Sequence, residues 1–120
     1  MDIDITERGW SGHYCASSHC RFNRNTSIKG PDICIIVSTV GNKSRDGKPE
    51  EIGYKIYYET VAFRAKSCDP FAELDASAQI DIDAPWHINR INKKSDIDAN
   101  NMHEKVVLEI SKKISTGVLS

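Results

Sequence analysis

Hydrophobic residues in the first two-thirds of the chain recur with the two-residue period of β-strands. Ile3 and Ile5 alternate with polar neighbours, which predicts a short half-buried strand. Residues 33–40 are mostly β-branched and are apolar at odd and even positions alike, which predicts a central strand covered on both faces. Residues 76–82 alternate once more, and Pro85 would end that strand. This part of the chain therefore predicts a β-sheet.

A second long β-rich run, residues 52–65, follows a polar stretch in which Asp46 and Gly47 predict a turn. The apolar residues of this run occupy even positions in its first half and odd positions in its second half. Because the direction of side chains has a period of two along a strand, this change of parity predicts a β-bulge near Glu59 and Thr60.

The last quarter of the chain changes to the period of a helix. Ser95 or Asp96 can cap a helix over residues 97–115, and Gly117 lies just beyond its end, where glycine commonly stops a helix. The apolar positions fall on one stripe: Ala99, Met102, Val106, Val107, Ile110 and Ile114. A helix with one apolar stripe must bury that stripe, so we expect it to dock on the sheet, above all through Val106, Val107 and Ile110.

Together these elements predict an α+β fold, in which a mostly antiparallel sheet of four to six strands carries one C-terminal helix packed on a face. A length of 120 residues favours a single domain over residues 1–120. With 39% hydrophobic and 28% charged residues, the composition is that of an ordinary globular protein. The 16 basic and 17 acidic residues form no basic stripe, so we expect no direct binding to nucleic acids.

The cellular setting is also an expectation from the sequence. The strongly apolar run at residues 33–40 is too short to cross a bilayer, so we expect no association with a membrane. The opening residues are acidic and unlike a secretory signal, which favours a cytoplasmic location. In that compartment the four cysteines are expected as free thiols or metal ligands and not as disulfides.

One short segment concentrates soft metal ligands: His13, Cys15, His19 and Cys20. A zinc ion bound by these imidazole and thiolate groups is one interpretation. Structural zinc sites usually separate two pairs of ligands by a longer loop, however, and here one ion would require a very tight loop. The interpretation that we prefer makes the cysteines small buried residues and leaves the histidines hydrogen-bonded or exposed. We therefore expect no cofactor, and zinc is the competing hypothesis.

Glu59 is the main candidate for catalysis. It shares the parity of Val61 and Phe63, so the predicted bulge would direct its carboxylate toward an otherwise apolar face. A carboxylate in such surroundings can act as a general acid or base, here with His13 and His103. The structural interpretation, which we prefer, is that Glu59 points outward or pairs with an arginine.

Three tyrosines crowd one predicted strand: Tyr54, Tyr57 and Tyr58. Tyrosine is favoured at protein interfaces, although it is equally common in ordinary strands. We predict Tyr57 as an exposed anchor for a partner protein, with Arg21 and Arg24 of a neighbouring strand as its polar rim. The alternation around these arginines predicts a strand whose outer face is polar and holds Arg21, Asn23 and Asn25.

Several blocks of the sequence resemble a known group of proteins. They are ERGWSGHYC at 7–15, CRFNRNT at 20–26, VSTVG at 37–41, YETVAF at 58–63 and ANNMH at 99–103. In these blocks the chain resembles a family of small uncharacterised proteins scattered through bacterial genomes and prophages. The resemblance implies a mobile-element setting and brings no activity with it. Small prophage proteins without a catalytic motif are often inhibitors of host machinery, including defence systems such as CRISPR effectors, which is an analogy of class only.

The sequence contains no P-loop, dinucleotide-binding fingerprint or nucleophile elbow. We therefore predict a non-enzymatic protein-binding module, an inhibitor of host defence machinery that acts by occlusion and works bound to a partner or as a homo-oligomer. The alternative is a small hydrolase or metal-dependent enzyme that uses His13, Glu59 and His103. Convergence of these three side chains in one pocket would favour the enzyme, whereas their scatter over the sheet would argue against it.

Overall fold

The computed structural model describes the backbone of these residues: 3–7, 20–45, 48–50, 52, 57–65, 88–91 and 96–118. The predicted strand at 76–82 and the predicted turn at 46–47 lie outside the described residues. Among the residues that are described, no helix combines the length and the apolar character needed to span a membrane.

Six strands and one helix follow one another along the chain: β1 (Asp4–Glu7), β2 (Cys20–Lys29), β3 (Cys34–Arg45), β4 (Lys48–Glu50), β5 (Tyr58–Arg64), β6 (Ile88–Ile91) and α1 (Asp96–Ser115). The strands form one sheet in the order β1-β2-β3-β5-β6, with β4 paired to the end of β3. Every pairing is antiparallel. The helix α1 packs on one face of this sheet, against β2, β3 and β5. The predicted α+β fold is confirmed.

The strand β3 is central, since it pairs with β2 on one side and with β5 on the other. Its odd-numbered residues face α1, and Ile35 and Val37 join the core beneath the helix. Its even-numbered residues face away from α1, yet Ile36 and Val40 are also fully buried. Both faces of the central strand are therefore covered, as the apolar pattern of residues 33–40 predicts.

The strand β5 pairs with β3 in one unbroken register from Tyr58 to Arg64. A bulge would place two residues of one strand opposite a single residue of the other, so the predicted bulge near Glu59 and Thr60 is wrong. Apolar residues occupy both parities of this strand because both faces of the sheet are covered. Ala62 is buried beneath α1, and Val61 is buried on the opposite face.

Four other strands differ from the sequence prediction. The four residues of β1 are exposed, Ile5 by 54%, so this strand is not half-buried as predicted. The strand β4 lies in the polar stretch for which only a turn is predicted. The face of β2 that is predicted to be polar and outward holds Asn25, which is fully buried on the same side of the sheet as Ile36. The strand β6 was not predicted, because its four residues are too few to establish a two-residue period.

The helix α1 begins one residue earlier than predicted and ends at the predicted residue. Its aliphatic residues form one core with those of the strands and the loop before β3: Ile28, Ile33, Ile35, Val37, Ala62, Val106, Val107, Ile110 and Ile114. The predicted docking through Val106, Val107 and Ile110 is confirmed. Just beyond the helix, Gly117 adopts a φ of 77°, a left-handed conformation that glycine reaches without the steric cost of a Cβ atom.

Candidate functional site

A band of polar residues crosses the helix-facing side of the sheet under the first half of α1. The registers set Arg24 of β2 opposite Thr39 of β3, and Thr39 opposite Thr60 of β5. Thr26 follows Arg24 on the same face of β2 and lies opposite Glu7 of the edge strand β1. Since residues that oppose each other across a ladder share a face, these five side chains lie on the side of the sheet that α1 covers.

His103 reaches this band from α1. Its side chain is fully buried, and both ring nitrogens contact threonine hydroxyls: Nε2 lies 2.7 Å from Oγ1 of Thr26, and Nδ1 lies 2.7 Å from Oγ1 of Thr39. A third hydroxyl, that of Thr60, lies 2.7 Å from Oγ1 of Thr39. His103 belongs to the buried stripe of the helix because it follows Ala99 by one turn. The helix thus places an imidazole where three neighbouring strands each contribute a hydroxyl group.

The hydrogen bonds that connect Glu7, Thr26, His103, Thr39 and Thr60 all have the same donor-to-acceptor direction. The carboxylate of Glu7 only accepts, so the hydroxyl of Thr26, 2.7 Å from Oε2, donates its single proton there. Thr26 must then accept from Nε2 of His103, and the neutral ring carries its proton on that nitrogen. Nδ1 therefore accepts from Thr39, and Thr39 accepts from Thr60. The carboxylate of Glu7, at one end of this series of hydrogen bonds, sets the orientation of every group in it.

Arg24 closes this network at the surface. Its NH2 group donates to Oε2 of Glu7 over 2.7 Å, and its NH1 group donates to Oε1 of Glu104 over 2.6 Å. NH1 also donates to Oδ1 of Asn100 over 2.9 Å. Glu7 belongs to β1 and the other two acceptors belong to α1, so one guanidinium connects the edge strand to the helix. The Arg24 side chain is 23% exposed, and solvent therefore screens these ion pairs in part.

Burial and the neighbouring charges together set the ionisation of the network. Partial burial raises the pKa of Glu7, but hydrogen bonds from Arg24 and Thr26 outweigh it and hold that pKa below its ordinary value. Burial also opposes the charge of Arg24, yet its bonds to Glu7 and Glu104 raise its pKa. Burial, followed by the charge of Arg24, lowers the pKa of His103 to about 4. His103 is therefore neutral at pH 7, as the orientation of the hydrogen bonds requires.

An aromatic pair borders the polar band near the start of α1. Phe22 and Tyr58 both oppose Gly41, and their rings meet above it edge to face, with centroids 5.8 Å apart. A Cβ atom on Gly41 would collide with the ring of Tyr58 and with the carbonyl oxygen of Tyr57, so only glycine leaves this space. The hydroxyl of Tyr58 donates to Oδ1 of Asp96 over 2.5 Å, which ties the first residue of the helix to the sheet.

The structure does not bring together the two described members of the predicted catalytic set. His103 lies beneath α1 with Thr60, whereas Glu59, the preceding residue of β5, lies on the opposite face of the sheet. The third member, His13, lies outside the described residues. In the described part of the chain, the imidazole and the carboxylate of the enzyme hypothesis are separated by the sheet.

The predicted zinc cluster is described only at Cys20, which is a buried free thiol at the start of β2. His13, Cys15 and His19 lie outside the described residues, and among those described no group of three or more His, Cys, Asp or Glu side chains could hold a metal ion. Cys34, at the start of β3, is disulfide-bonded. The expectation that the cysteines are free thiols or ligands therefore holds for Cys20 and is wrong for Cys34.

The predicted partner-binding residues have different surroundings. Tyr57 is half-buried in the bend just before β5. Arg24 is already bonded to three side chains of its own chain, so a role at the rim of an interface would require it to share or exchange them. For Arg21 the structure describes the backbone alone, within β2.

Sequence reasoning missed the three threonines of the network. In a strand, threonine is sufficiently explained by its β propensity, so Thr26, Thr39 and Thr60 carry no signal of their own. A signal does exist in α1, because His103 falls among the apolar residues of the buried stripe. A buried imidazole needs a hydrogen-bond partner at each nitrogen, and this predicts polar groups on the sheet beneath it.

No family model, curated protein or solved structure matches the chain. The resemblance to small prophage proteins therefore stays a prediction, and the function is argued from the geometry of the described residues.

Proposed function

We propose that this protein is a non-enzymatic binding module that acts by covering the surface of a partner protein. The resemblance to small prophage proteins implies a mobile-element setting, and in that setting the partner would belong to the host's defence machinery. One observation carries the proposal: His103 and the three threonines under α1 are buried and bonded to one another, and they hold the helix on the sheet.

The state of His103 supports this proposal over the enzyme. A general base must reach the proton that it removes, with a free nitrogen and access for the substrate. His103 is fully buried, and its Nδ1 and Nε2 atoms are occupied by Thr39 and Thr26. Glu59 lies on the opposite face of the sheet from this ring. These groups are arranged for structure, since each hydrogen bond joins two different elements of the fold.

The surface of the described residues supports a binding role in a second way. Ile97 and Leu108 are 74% and 55% exposed on the side of α1 that faces away from the sheet. Their separation of eleven residues is close to three helical turns, so they lie on one line along the helix. Tyr57 precedes β5 next to Tyr58, which is bonded to the start of the same helix. An aromatic anchor on a rigid scaffold is typical of a site that contributes strongly to protein binding.

The test starts with affinity capture by the purified wild-type chain from a lysate of the native bacterial host. The captured protein is then purified, and the binary complex is rebuilt and titrated by calorimetry. We expect a complex of defined stoichiometry. Tyr57→Ala should weaken it by about fivefold or more, because a buried aromatic anchor typically contributes over 1 kcal/mol. Tyr57→Phe is the matched control, which keeps the ring and should bind within about threefold of wild type.

Two outcomes would contradict parts of this proposal. A complex that Tyr57→Ala leaves unchanged would retain the binding function and remove Tyr57 from the interface. The absence of any reconstituted complex, together with a cellular activity that Glu59→Gln and His103→Gln both abolish in folded protein, would favour the enzyme instead.

A further inference from the structure

The two halves of α1 are attached to the sheet by different chemistry. In residues 96–104, which we call the polar half, side chains bond to the sheet, among them Asp96, Asn100, His103 and Glu104. The buried apolar side chain of this half is the single methyl group of Ala99. In residues 105–115, which we call the aliphatic half, the attachment is the core contact of Val106, Val107, Ile110 and Ile114.

A proton on His103 would disturb the polar half alone. The groups that face its ring are Glu7 of β1, Arg24 and Thr26 of β2, Thr39 of β3, Thr60 of β5 and, on its own helix, Glu104. Arg24 repels a positive ring, and the two glutamates attract it. A protonated Nδ1 would also point at the hydroxyl proton of Thr39, so Thr39 and then Thr60 would have to turn.

We propose that mildly acidic solution releases the polar half of α1 from the sheet while the aliphatic half stays docked. Once released, the ring of His103 reaches water and takes up a proton without repulsion from Arg24 and without any need for Thr39 and Thr60 to turn. A detached helical end of nine residues is not stable by itself, so its hydrogen bonds open as it leaves the sheet. The buried side chains that attach the aliphatic half do not titrate, since they are those of Val106, Val107, Ile110 and Ile114.

The size of the effect follows from the two states of the ring. Burial and Arg24 hold the pKa of docked His103 at about 4, whereas the exposed ring has its ordinary pKa of 6.5. Between pH 7 and pH 5 the ratio of released to docked helix should therefore rise about twentyfold. Although burial raises the pKa of Glu7, its hydrogen bonds to Arg24 and Thr26 hold that pKa below the ordinary value, and both partners belong to β2, so release of α1 leaves these bonds in place.

Amide hydrogen exchange of the full ¹⁵N-labelled chain, followed by NMR and corrected for the intrinsic effect of pH, tests the proposal. We expect protection of the amides at 100–104 to fall about twentyfold from pH 7 to pH 5. Protection of the amides at 108–114 should change by less than about threefold over the same interval. Equal loss in both halves, or no loss in either, would overturn the proposal, and this comparison needs only the wild-type protein.

His103→Gln is the matched variant. Its amide can still donate to Thr26, and it does not titrate. We expect lower protection of the polar half at both pH values and no difference between them beyond about threefold. A twentyfold difference that persists in this variant would assign the effect to another group and reject the role of His103.

Discussion

Replacing His103 with leucine should destabilise the protein, although leucine is the more apolar residue and the better helix former. Leucine has no nitrogen, so Thr39 loses the acceptor of its hydroxyl proton and Thr26 loses a donor. Thr26 still donates to Glu7, and the damage is therefore centred on Thr39. Thr39 can turn toward Thr60, but this only transfers the missing hydrogen bond to the next hydroxyl.

The magnitude follows from the burial of these groups. Thr39 and Thr60 are both fully buried, so water cannot replace the lost partner. A buried donor without an acceptor costs about 1–3 kcal/mol, and the better burial of leucine recovers roughly 1 kcal/mol of this. We expect the free energy of unfolding to fall by up to about 2 kcal/mol, which is measurable in a domain with a typical stability of about 5–15 kcal/mol.

Thr39→Val provides the matched variant, because it keeps the shape of the side chain and removes the hydroxyl. Alone it leaves Nδ1 of His103 without a donor and Thr60 without an acceptor, at a similar cost of about 1–3 kcal/mol. The double variant removes both ends of one hydrogen bond, so its cost should be smaller than the sum by about 1–2 kcal/mol. Adding Thr60→Val should bring the stability close to that of wild type, since an apolar replacement of a whole network can be neutral.

Urea unfolding at pH 7, followed by circular dichroism, measures these differences if the slopes of the five transitions agree. Strictly additive costs for His103→Leu and Thr39→Val would show that the two side chains do not interact. A single His103→Leu variant that is more stable than wild type would refute the reasoning altogether, because the network would then have no role in holding the helix.

Four further predictions do not depend on the comparison of the His103→Leu and Thr39→Val variants. Ile110→Ala should lower the free energy of unfolding by about 2–5 kcal/mol and Val106→Ala by a smaller amount, because both residues are buried in the core, and unchanged thermal melts would mean that the helix is not packed there. Because His103 has a lowered pKa in the folded protein, its contribution to the free energy of unfolding is complete above pH 6.5 and falls by about 3 kcal/mol as the pH drops to 4. Urea titrations of His103→Gln should not display this loss. A chelator should leave the melting temperature unchanged, and zinc bound one to one by mass spectrometry would contradict this. Alkylation of the denatured, unreduced protein should label Cys20 and leave Cys34 unlabelled until a reductant is added, whereas label on Cys34 beforehand would rule out its disulfide.

The elements with long periodic patterns could be predicted from the sequence. The apolar stripe of α1 extends over more than four turns, so the bounds of the helix and its docking residues are correct to within one residue. The strand β3 is apolar at both parities, and its position in the middle of the sheet follows. The four residues of β6 display no pattern long enough to read, which explains why that strand was missed.

The predicted bulge failed for a reason of principle. A change of parity within a run has two physical causes: a break in the register, or a second covered face that accepts apolar residues on the other parity. Local sequence reports which positions are buried and does not report what buries them. Only the pairing of β5 with β3 distinguishes the two causes, and that pairing is a long-range property of the fold.

The α+β class and the docking of the helix could be predicted from the sequence, because the spacing of apolar residues along one element decides which side of it avoids water. The groups that His103 contacts depend on the tertiary fold. Four separate strands bring Glu7, Thr26, Thr39 and Thr60 beneath the ring, and their alignment depends on the registers of the sheet. The same registers place Glu59 on the far side, one residue from Thr60. A difference of one position along a strand reverses the direction of a side chain, so residues that are adjacent in sequence here belong to opposite faces of the protein.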